Sequence, residues 1–361
     1  VYEHTTVTDN VEHLVQTLER LCTEYDVVIS TGGLGPTPDD ITRQAVSILT
    51  EQALSVHTEA LAHIESYYTK RNRIVPSSTH VQTLFPDNSN CLLNPIGSAC
   101  GIHITHNETD LYFFPGVPRE MMLMIPEVLP VNRGNPPLVF ATFGVSESQL
   151  LLKLKEVELP PIAFHATRRG NWLTVFPPSE SRKLIKTTIE RVLEPFIFNI
   201  STEKKSLMDV VSERLLHRSE MVATAESCTA GKLSSWFTSI SGSSGYFKEG
   251  VIVYSNESKH KYCGVSMDLI EKQGAVCQSV SIDLARGIQK HSGATWGIGI
   301  TGIAGPGGGS EEKPVGTVHI TVYGYDQVHH KHCTFQGTRD QITEQACGQA
   351  VFMLFNAMRS A

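Results

Sequence analysis

The sequence is short of positive charge: 30 Lys and Arg stand against 37 Asp and Glu, a formal net charge of -7 over 361 residues. That balance supplies no electrostatic footprint for nucleic acid or an anionic membrane surface as the main partner. Long apolar runs are missing too. No segment is long enough to span a bilayer and no basic-then-apolar leader is seen, so a cytoplasmic location without a membrane partner is expected. Paired cysteine motifs are absent: the cysteines at 22, 91, 100, 228, 263, 277, 333 and 347 lack CxxC spacing. A zinc ribbon and a disulfide framework are thereby disfavoured, and reduced thiols are expected. No internal repeat or low-complexity tract is present. What remains is a chain with 40% hydrophobic residues, longer than one core usually serves, which predicts a small-molecule enzyme of two or three domains. The first residue is Val1 rather than Met and the sequence begins as if inside a domain, so a missing N-terminal segment is expected.

Residues 11 to 22 place Val11, Leu14, Val15, Leu18, Leu21 and Cys22 at helical spacing, and the apolar run "DVVIST" follows. This predicts a helix feeding a buried strand. The strand meets "GGLGPTPDD", after which "ITRQAVSIL" resumes a helical pattern. Strand, Gly-rich loop and helix form the repeating unit of an α/β sheet. The joint "LPVNRGNPP" (129 to 137) ends a first domain, 1–130, and the runs "PLVFATFGV", "NWLTVF" and "PFIFNI" with a helix near 181 to 194 predict a small α+β module, 138–200. After the polar "STEKK" a third domain, 205–361, alternates helices with the strands "MVATA", "GVIVYS", "WGIGIT" and "VGTVHITVYG" and closes on a helix near 340 to 358. That alternation predicts a second α/β domain.

In "TGGLGPTPDDIT" (31 to 42), Gly32, Gly33 and Gly35 follow a strand end, with Thr37, Asp39 and Asp40 before a helix start. Backbone N–H groups free of side chains can approach a phosphate there, and the carboxylates could hold a divalent cation. Helix capping by Asp39 or Asp40 beside a simple glycine turn is the competing reading. In "TAESCTAGKLSSW" (224 to 236), Ser227 and Cys228 stand together before an apolar helix. Either is a candidate nucleophile, and Ser227 also suits an N-cap. The loop "TGIAGPGGGSEEKPVG" is either a backbone nest for an anion or a hairpin connector. "VHHKHC" (328 to 333) sets His330 and His332 on a strand-like run without a second ligand pair at recognisable spacing, which reads as a half-exposed strand edge.

Three segments, "GGLGPTPDDIT", "NPIGSACG" (94 to 101) and "FFPGVPREM" (113 to 121), resemble in order the loops of the MoCF-like, molybdopterin-binding-like domain of the CinA family. "ATAESCTAGKLSS", "SGSSGYFKEGVIVYSNESKHKYCGV", "GAVCQSVS" and "GIGITGIAGPGGGSEEKPVGTVHI" resemble that family's C-terminal nicotinamide-nucleotide amidohydrolase domain across residues 205 to 361. The middle segment "FHATRRGNW", with Arg168, Arg169 and Trp172, resembles the family's KH-like module without its GxxG loop. The fold implied is a doubly wound α/β/α MoCF-like domain, a KH-like α+β module and a C-terminal α/β domain.

The resemblance implies hydrolysis of nicotinamide mononucleotide to nicotinate mononucleotide and ammonia, a step of NAD salvage. An amidase needs a nucleophile, a base and donors for the oxyanion. Ser227 is the implied nucleophile, Lys259 in "YSNESK" the base if burial lowers its pKa, and Tyr254 a relay. N–H groups near Thr229 to Gly231 are candidate oxyanion donors. Thr301, Gly302, Gly307, Gly308 and Arg339 are candidate contacts to the pyridine mononucleotide. Arg339 matches the first arginine of a family pattern whose second arginine is Thr343 here. Cys228 is read as a buried structural thiol. No cofactor is expected for the amidase. For the N-terminal domain, the resemblance implies cleavage of ADP-ribose or an NAD-type dinucleotide with a divalent metal at Asp40, and Cys100 stands where many relatives have Pro. The family's first strand, with its Gly-Asp-Glu loop, has no counterpart in the sequence. A homodimer is the expected assembly. The rival reading is a competence or DNA-damage-related binding protein without amidase activity.

Overall fold

The structure, a computed structural model, describes residues 1–128, 135–167 and 169–361. The chain divides into two compact units, Val1–Asn132 and Arg133–Ala361. The joint predicted at 129 to 137 lies largely outside the described residues, as does Arg168.

In the first unit, α1 (Val11–Glu24) begins where the Asn10 side chain accepts from the His13 N–H, and it leads into β1 (Val27–Thr31). There follow α2 (Thr42–Thr50), β2 (Leu54–Val56), α3 (Thr58–Thr69), β3 (Leu84–Pro86), β4 (Asn90–Leu92), β5 (Gly101–His106), β6 (Thr109–Phe114) and α4 (Pro118–Val128). The main sheet runs β1-β6-β5-β4, with β1 parallel to β6 and the other pairs antiparallel, while β2 and β3 form a separate ribbon. β1 is not the fully buried strand that its apolar run predicts. Val28 is in the core, but Val27 and Ile29 are 48% and 49% exposed. The cause is position: among the described residues β1 pairs only with β6, and one of its faces is left uncovered.

The second unit opens with β7 (Leu138–Thr142), α5 (Glu147–Leu154), β8 (Ile162–Thr167), β9 (Gly170–Val175), α6 (Arg182–Leu193) and β10 (Ile197–Ser201), whose strands form an antiparallel sheet in the order β10-β7-β9-β8. It continues through α7 (Leu207–His217), β11 (Val222–Glu226), α8 (Lys232–Thr238), β12 (Phe247–Ile252), α9 (Asn256–Cys263), α10 (Met267–Gln273), α11 (Gln278–Ser292), β13 (Trp296–Gly302), β14 (Thr317–Gly324), β15 (Gln327–Thr334) and α12 (Arg339–Ser360). The second sheet runs β12-β11-β13-β14-β15, parallel across its first three strands and antiparallel thereafter. Helices cover both faces. On one side α11 sits directly on β13, because a Cβ at Gly297 or Gly299 would lie 2.1 Å from Ala285 O or 2.4 Å from Ser281 O. On the other, α12 presents Ala346, Ala350, Val351 and Leu354 to the core.

The 138–200 module does not stand apart from the domain that follows it. Val139, Ala141, Phe143, Trp172 and Phe198 share one hydrophobic core with α7, α8 and α12, and the Phe143 and Phe352 rings lie 5.2 Å apart. Each buried aromatic of this kind contributes roughly 2–3 kcal/mol, so the two sheets form one cooperative body. Among the described residues no helix is long and apolar enough to cross a membrane.

Candidate active site

β11 ends in Glu226, fully buried, and the chain turns at Ser227. The Ser227 N–H donates to Ile300 O on β13 (3.0 Å), the Ala230 N–H returns to Ser227 O (3.2 Å) and the Lys232 N–H to Thr229 O (3.0 Å). Ala230 and Gly231 have φ of 49° and 93°, so the turn doubles back before α8 starts. The Glu226 carboxylate fills the inside of that turn. It accepts from the N–H groups of Gly231 (3.0 Å), Leu233 (3.0 Å) and Ser234 (2.8 Å) and from Ser234 Oγ (2.6 Å). Glu226, which sequence reasoning passed over, is therefore the cap of α8. The Gly231 N–H is spent on this cap and is not an oxyanion donor, contrary to expectation. Thr229 differs: it is 3% exposed and its hydroxyl oxygen has no hydrogen-bond partner.

Ser227 is 8% exposed and Cys228 6%. Cys228 packs into the core, and burial pushes its thiol up to about 12, leaving almost no thiolate at neutral pH. The Lys259 side chain and the Arg339 guanidinium both lie within electrostatic reach of Cys228. Lys259 is almost fully buried, 2% exposed. Its Nζ donates to Val253 O (2.9 Å), Tyr254 O (3.1 Å) and Ser255 O (3.5 Å). Desolvation pulls its pKa below the usual lysine value, while the carbonyls hold its protons. Among the described residues Ser227 and Lys259 share no hydrogen bond. Tyr254 is not the relay expected: its ring is 62% exposed, and its hydroxyl accepts from Arg339 Nη2 (3.2 Å). The same guanidinium donates to Gly305 O (2.8 Å), tying the Tyr254 segment to the Gly-rich loop.

Thr301 and Gly302 serve packing rather than contact. Thr301 Oγ1 donates to Ala275 O (2.8 Å), and a Cβ at Gly302 would lie 2.8 Å from Thr317 O. Gly307 and Gly308, by contrast, are exposed, and a Cβ at Gly307 would meet nothing within 4 Å. A cavity of about 530 Å³ lies beside α8, lined by Arg169, Thr229, Lys232, Trp236 and Glu344 among others. Thr229 lines it, whereas Ser227 and Lys259 do not.

In the first unit the expected loops meet. The Gly32 N–H donates to Phe114 O (2.9 Å), a Cβ at Gly116 would touch Gly32 Cα at 3.3 Å, and Asn94 donates to Ala99 O (2.9 Å) and to Glu120 Oε2 (2.7 Å). Gly33, with φ of 67°, leaves room for Thr42 Oγ1, which donates to Gly32 O (2.9 Å). Asp40 does not cap α2, whose N-cap residue is Ile41. Its Oδ1 accepts from the Gly35 N–H (2.8 Å) and its Oδ2 from the Thr37 N–H (2.8 Å) and Thr37 Oγ1 (2.5 Å). Burial works to raise its pKa, but Thr37, Gly35 and the Arg43 charge outweigh it and hold the carboxyl below its usual value. Asp40 thus staples its own loop, and Asp39 is exposed. Among the described residues, the group of His, Cys, Asp and Glu side chains close enough to share a metal ion does not include Asp40. Arg43, unremarked in the sequence, is 2% exposed and braces the loop from within by donating to Leu34 O (2.6 Å) and Gly35 O (3.3 Å).

Comparison with known proteins finds family matches in both units. Residues 204–358 match the CinA C-terminal domain, and residues 1–133 match a probable molybdopterin binding domain. A CinA-like protein of Geotalea uraniireducens is 35% identical over 95% of this chain and 86% of its own. The chain belongs to the CinA family. A putative competence-damage inducible protein of Halothermothrix orenii is 33% identical over 99% of this chain and 91% of its own. A crystal structure of the competence damage-inducible protein A of Klebsiella pneumoniae is 27% identical, with a TM-score of 0.41 over 42% of this chain and 95% of that one.

Two further side-chain clusters belong to the CinA chain's second unit. Arg169, in the segment that resembles a KH-like module, pairs with Glu344 (3.4 Å) and lies 4.6 Å over the Trp236 ring. His330 and His332 have a partner that spacing did not reveal. His319, opposite His332 across β14 and β15, is 3.2 Å from His330 Nε2 and stacks on His332 with centroids 4.6 Å apart. Burial and the neighbouring His332, His330 and Lys313 charges push His319 down to about 4.

Proposed function

We propose that this CinA-family chain is a nicotinamide-nucleotide amidohydrolase acting through a Ser227 acyl-enzyme. The observation that carries the proposal is the turn at 227 to 230: a serine beside a buried protonated thiol, with the buried Lys259 side chain and the Arg339 guanidinium within electrostatic reach of that thiol. Ser227 Oγ attacks the carboxamide carbon of nicotinamide mononucleotide and its proton passes to neutral Lys259 Nζ. A neutral amine donates only two hydrogens, so it keeps the contacts to Val253 O and Tyr254 O and gives up the longest, to Ser255 O. Thr229 Oγ1, buried and unpartnered, is the side-chain donor for the oxyanion. The C–N bond then breaks, the nitrogen takes the Lys259 proton and ammonia leaves. Water adds to the ester, again giving its proton to Lys259, and release of nicotinate mononucleotide returns a proton to Ser227. Arg339 and the open Gly307–Gly308 segment are the phosphate contacts in this reading.

The test is ammonia release from nicotinamide mononucleotide by the purified chain. Turnover is expected in wild type and in Cys228→Ala, and loss by at least about a thousandfold in Ser227→Ala. If Ser227→Ala turns over like wild type, or folded wild type releases no ammonia, the proposal fails. The convergence of Gly32, Gly116 and Asn94 supports a second activity, cleavage of a dinucleotide pyrophosphate such as ADP-ribose by residues 1–130. AMP release from ADP-ribose, lost on Arg43→Ala, is its expected signature.

A further inference from the structure

The first unit carries a cluster of side chains that neither proposed activity uses. His57 is the N-cap residue of α3, Glu59 lies in the first turn of that helix, and Cys91 is the middle residue of β4. The His57 backbone is fixed, because its N–H donates to Thr83 O (2.8 Å) just beyond the β2–β3 ribbon. Its ring is fixed as well, lying 5.0 Å from that of Phe85. One ligand atom from each of His57, Glu59 and Cys91 lies within 4.8 Å of the others. His57 Nδ1 is buried and has no hydrogen-bond partner, a costly state for a polar atom and one that ligation would relieve.

We propose that His57, Glu59 and Cys91 form a binding site for a borderline-soft divalent transition-metal ion, with Zn²⁺ as the ion of choice. The donor set decides the class. Mg²⁺ and Ca²⁺ take oxygen ligands, whereas one imidazole, one carboxylate and one thiolate match Zn²⁺ or Co²⁺. Tetrahedral zinc with ordinary bond lengths spaces its ligands about 3.3–3.8 Å apart. The observed cluster therefore needs only a small contraction, which the exposed Glu59 side chain can supply by changing rotamer. Three protein ligands leave the fourth position to water. The ion would clamp the start of α3 to β4 of the main sheet. The site uses no residue of the Asp40 loop, whose carboxylate accepts from Gly35 and Thr37.

The test uses the full chain, stripped with a chelator and dialysed against Zn²⁺. One equivalent is expected to be retained, and Co²⁺ in its place is expected to give a thiolate-to-cobalt charge-transfer band in the near ultraviolet. Cys91→Ser should abolish that band, while Cys277→Ser, a half-buried thiol in the other unit, should leave it unchanged. His57→Ala and Glu59→Gln should each weaken Zn²⁺ binding at least about tenfold. Because Glu59 is exposed, its variant reports ligation without risk to the core. The proposal is overturned if wild type retains no Zn²⁺, if the band survives Cys91→Ser, or if neither His57→Ala nor Glu59→Gln changes affinity. None of these readouts depends on ammonia or AMP release.

Discussion

Replacing Glu226 is expected to destabilise the second unit strongly. The carboxylate is fully buried and accepts three backbone N–H groups and the Ser234 hydroxyl at 2.6–3.0 Å, with the Thr224 hydroxyl at 3.5 Å. In Glu226→Ala the hydroxyl of Ser234 keeps its partner Thr224 Oγ1 at 2.8 Å, so its loss counts for little. The N–H groups of Gly231, Leu233 and Ser234 are left without an acceptor, and orphaned buried donors cost about 1–3 kcal/mol each. Allowing one to be reached by water, the loss is about 4 kcal/mol, a large share of the roughly 5–15 kcal/mol that holds a domain together. Glu226→Gln keeps the shape and one acceptor oxygen but turns an amide N–H₂ toward a donor, so about half that loss is expected. The chain's three tryptophans, at 172, 236 and 296, all lie in the second unit. Urea unfolding followed by tryptophan fluorescence therefore reads this unit alone. A Glu226→Ala protein within about 1 kcal/mol of wild type, or a Glu226→Gln protein as damaged as the alanine variant, would refute the reasoning.

Two other outcomes are expected. His319 is held near 4 in the folded chain against 6.5 for the free side chain, so the unfolded chain binds the extra proton between those values. The stability it preserves is complete above about pH 6.5 and falls as pH drops toward 4. At 1.36 kcal/mol per pKa unit, discounted because the ring is only partly buried, the loss is about 2 kcal/mol. The urea midpoint by tryptophan fluorescence should fall less between pH 7 and pH 4.5 in His319→Gln than in wild type, and equal falls would sink the argument. In the first unit, Gly33→Ala puts a Cβ 2.2 Å from Thr42 Oγ1 at a φ of 67°. It should cost about 2 kcal/mol through left-handed strain and loss of the Thr42 bond to Gly32 O. Backbone amides of residues 32 to 40 should then exchange with deuterium faster, and unchanged protection would count against a rigid cradle.

How much was legible depended on whether the determinants were local. The loops at 31 to 42, 94 to 101 and 113 to 121 could be read because glycine spacing is local, and they do converge. Glu226 could not, because its donors lie five, seven and eight residues ahead, on a helix start whose position the sequence leaves open. An acidic residue closing the apolar strand "VATAE" was the available signal. His319 was hidden by register. The β14–β15 turn is Tyr325–Asp326, both at positive φ, and without Asn-Gly or Asp-Gly it does not announce which residues face one another. The two-unit division was written in β7, had its pattern been weighed. "LVFAT" is apolar without alternation, the mark of a strand covered on both faces. Leu138 and Phe140 enter the core of their own module, while Val139 and Ala141 enter the core shared with α12.

The adjacent Ser227 and Cys228 are separated by the same logic of packing. Both are nearly buried, and composition alone favours the thiol as the stronger nucleophile. Yet the thiol belongs to a cluster with Leu233 and Trp236, and burial there keeps it protonated. A serine hydroxyl is nucleophilic only with a base, and the neighbourhood supplies a candidate in a lysine that burial pushes toward neutrality. What holds both residues in place is Glu226, whose cap fixes the turn and the start of α8 together. The stability of the second unit and the geometry of the proposed nucleophile thus rest on one fully buried carboxylate.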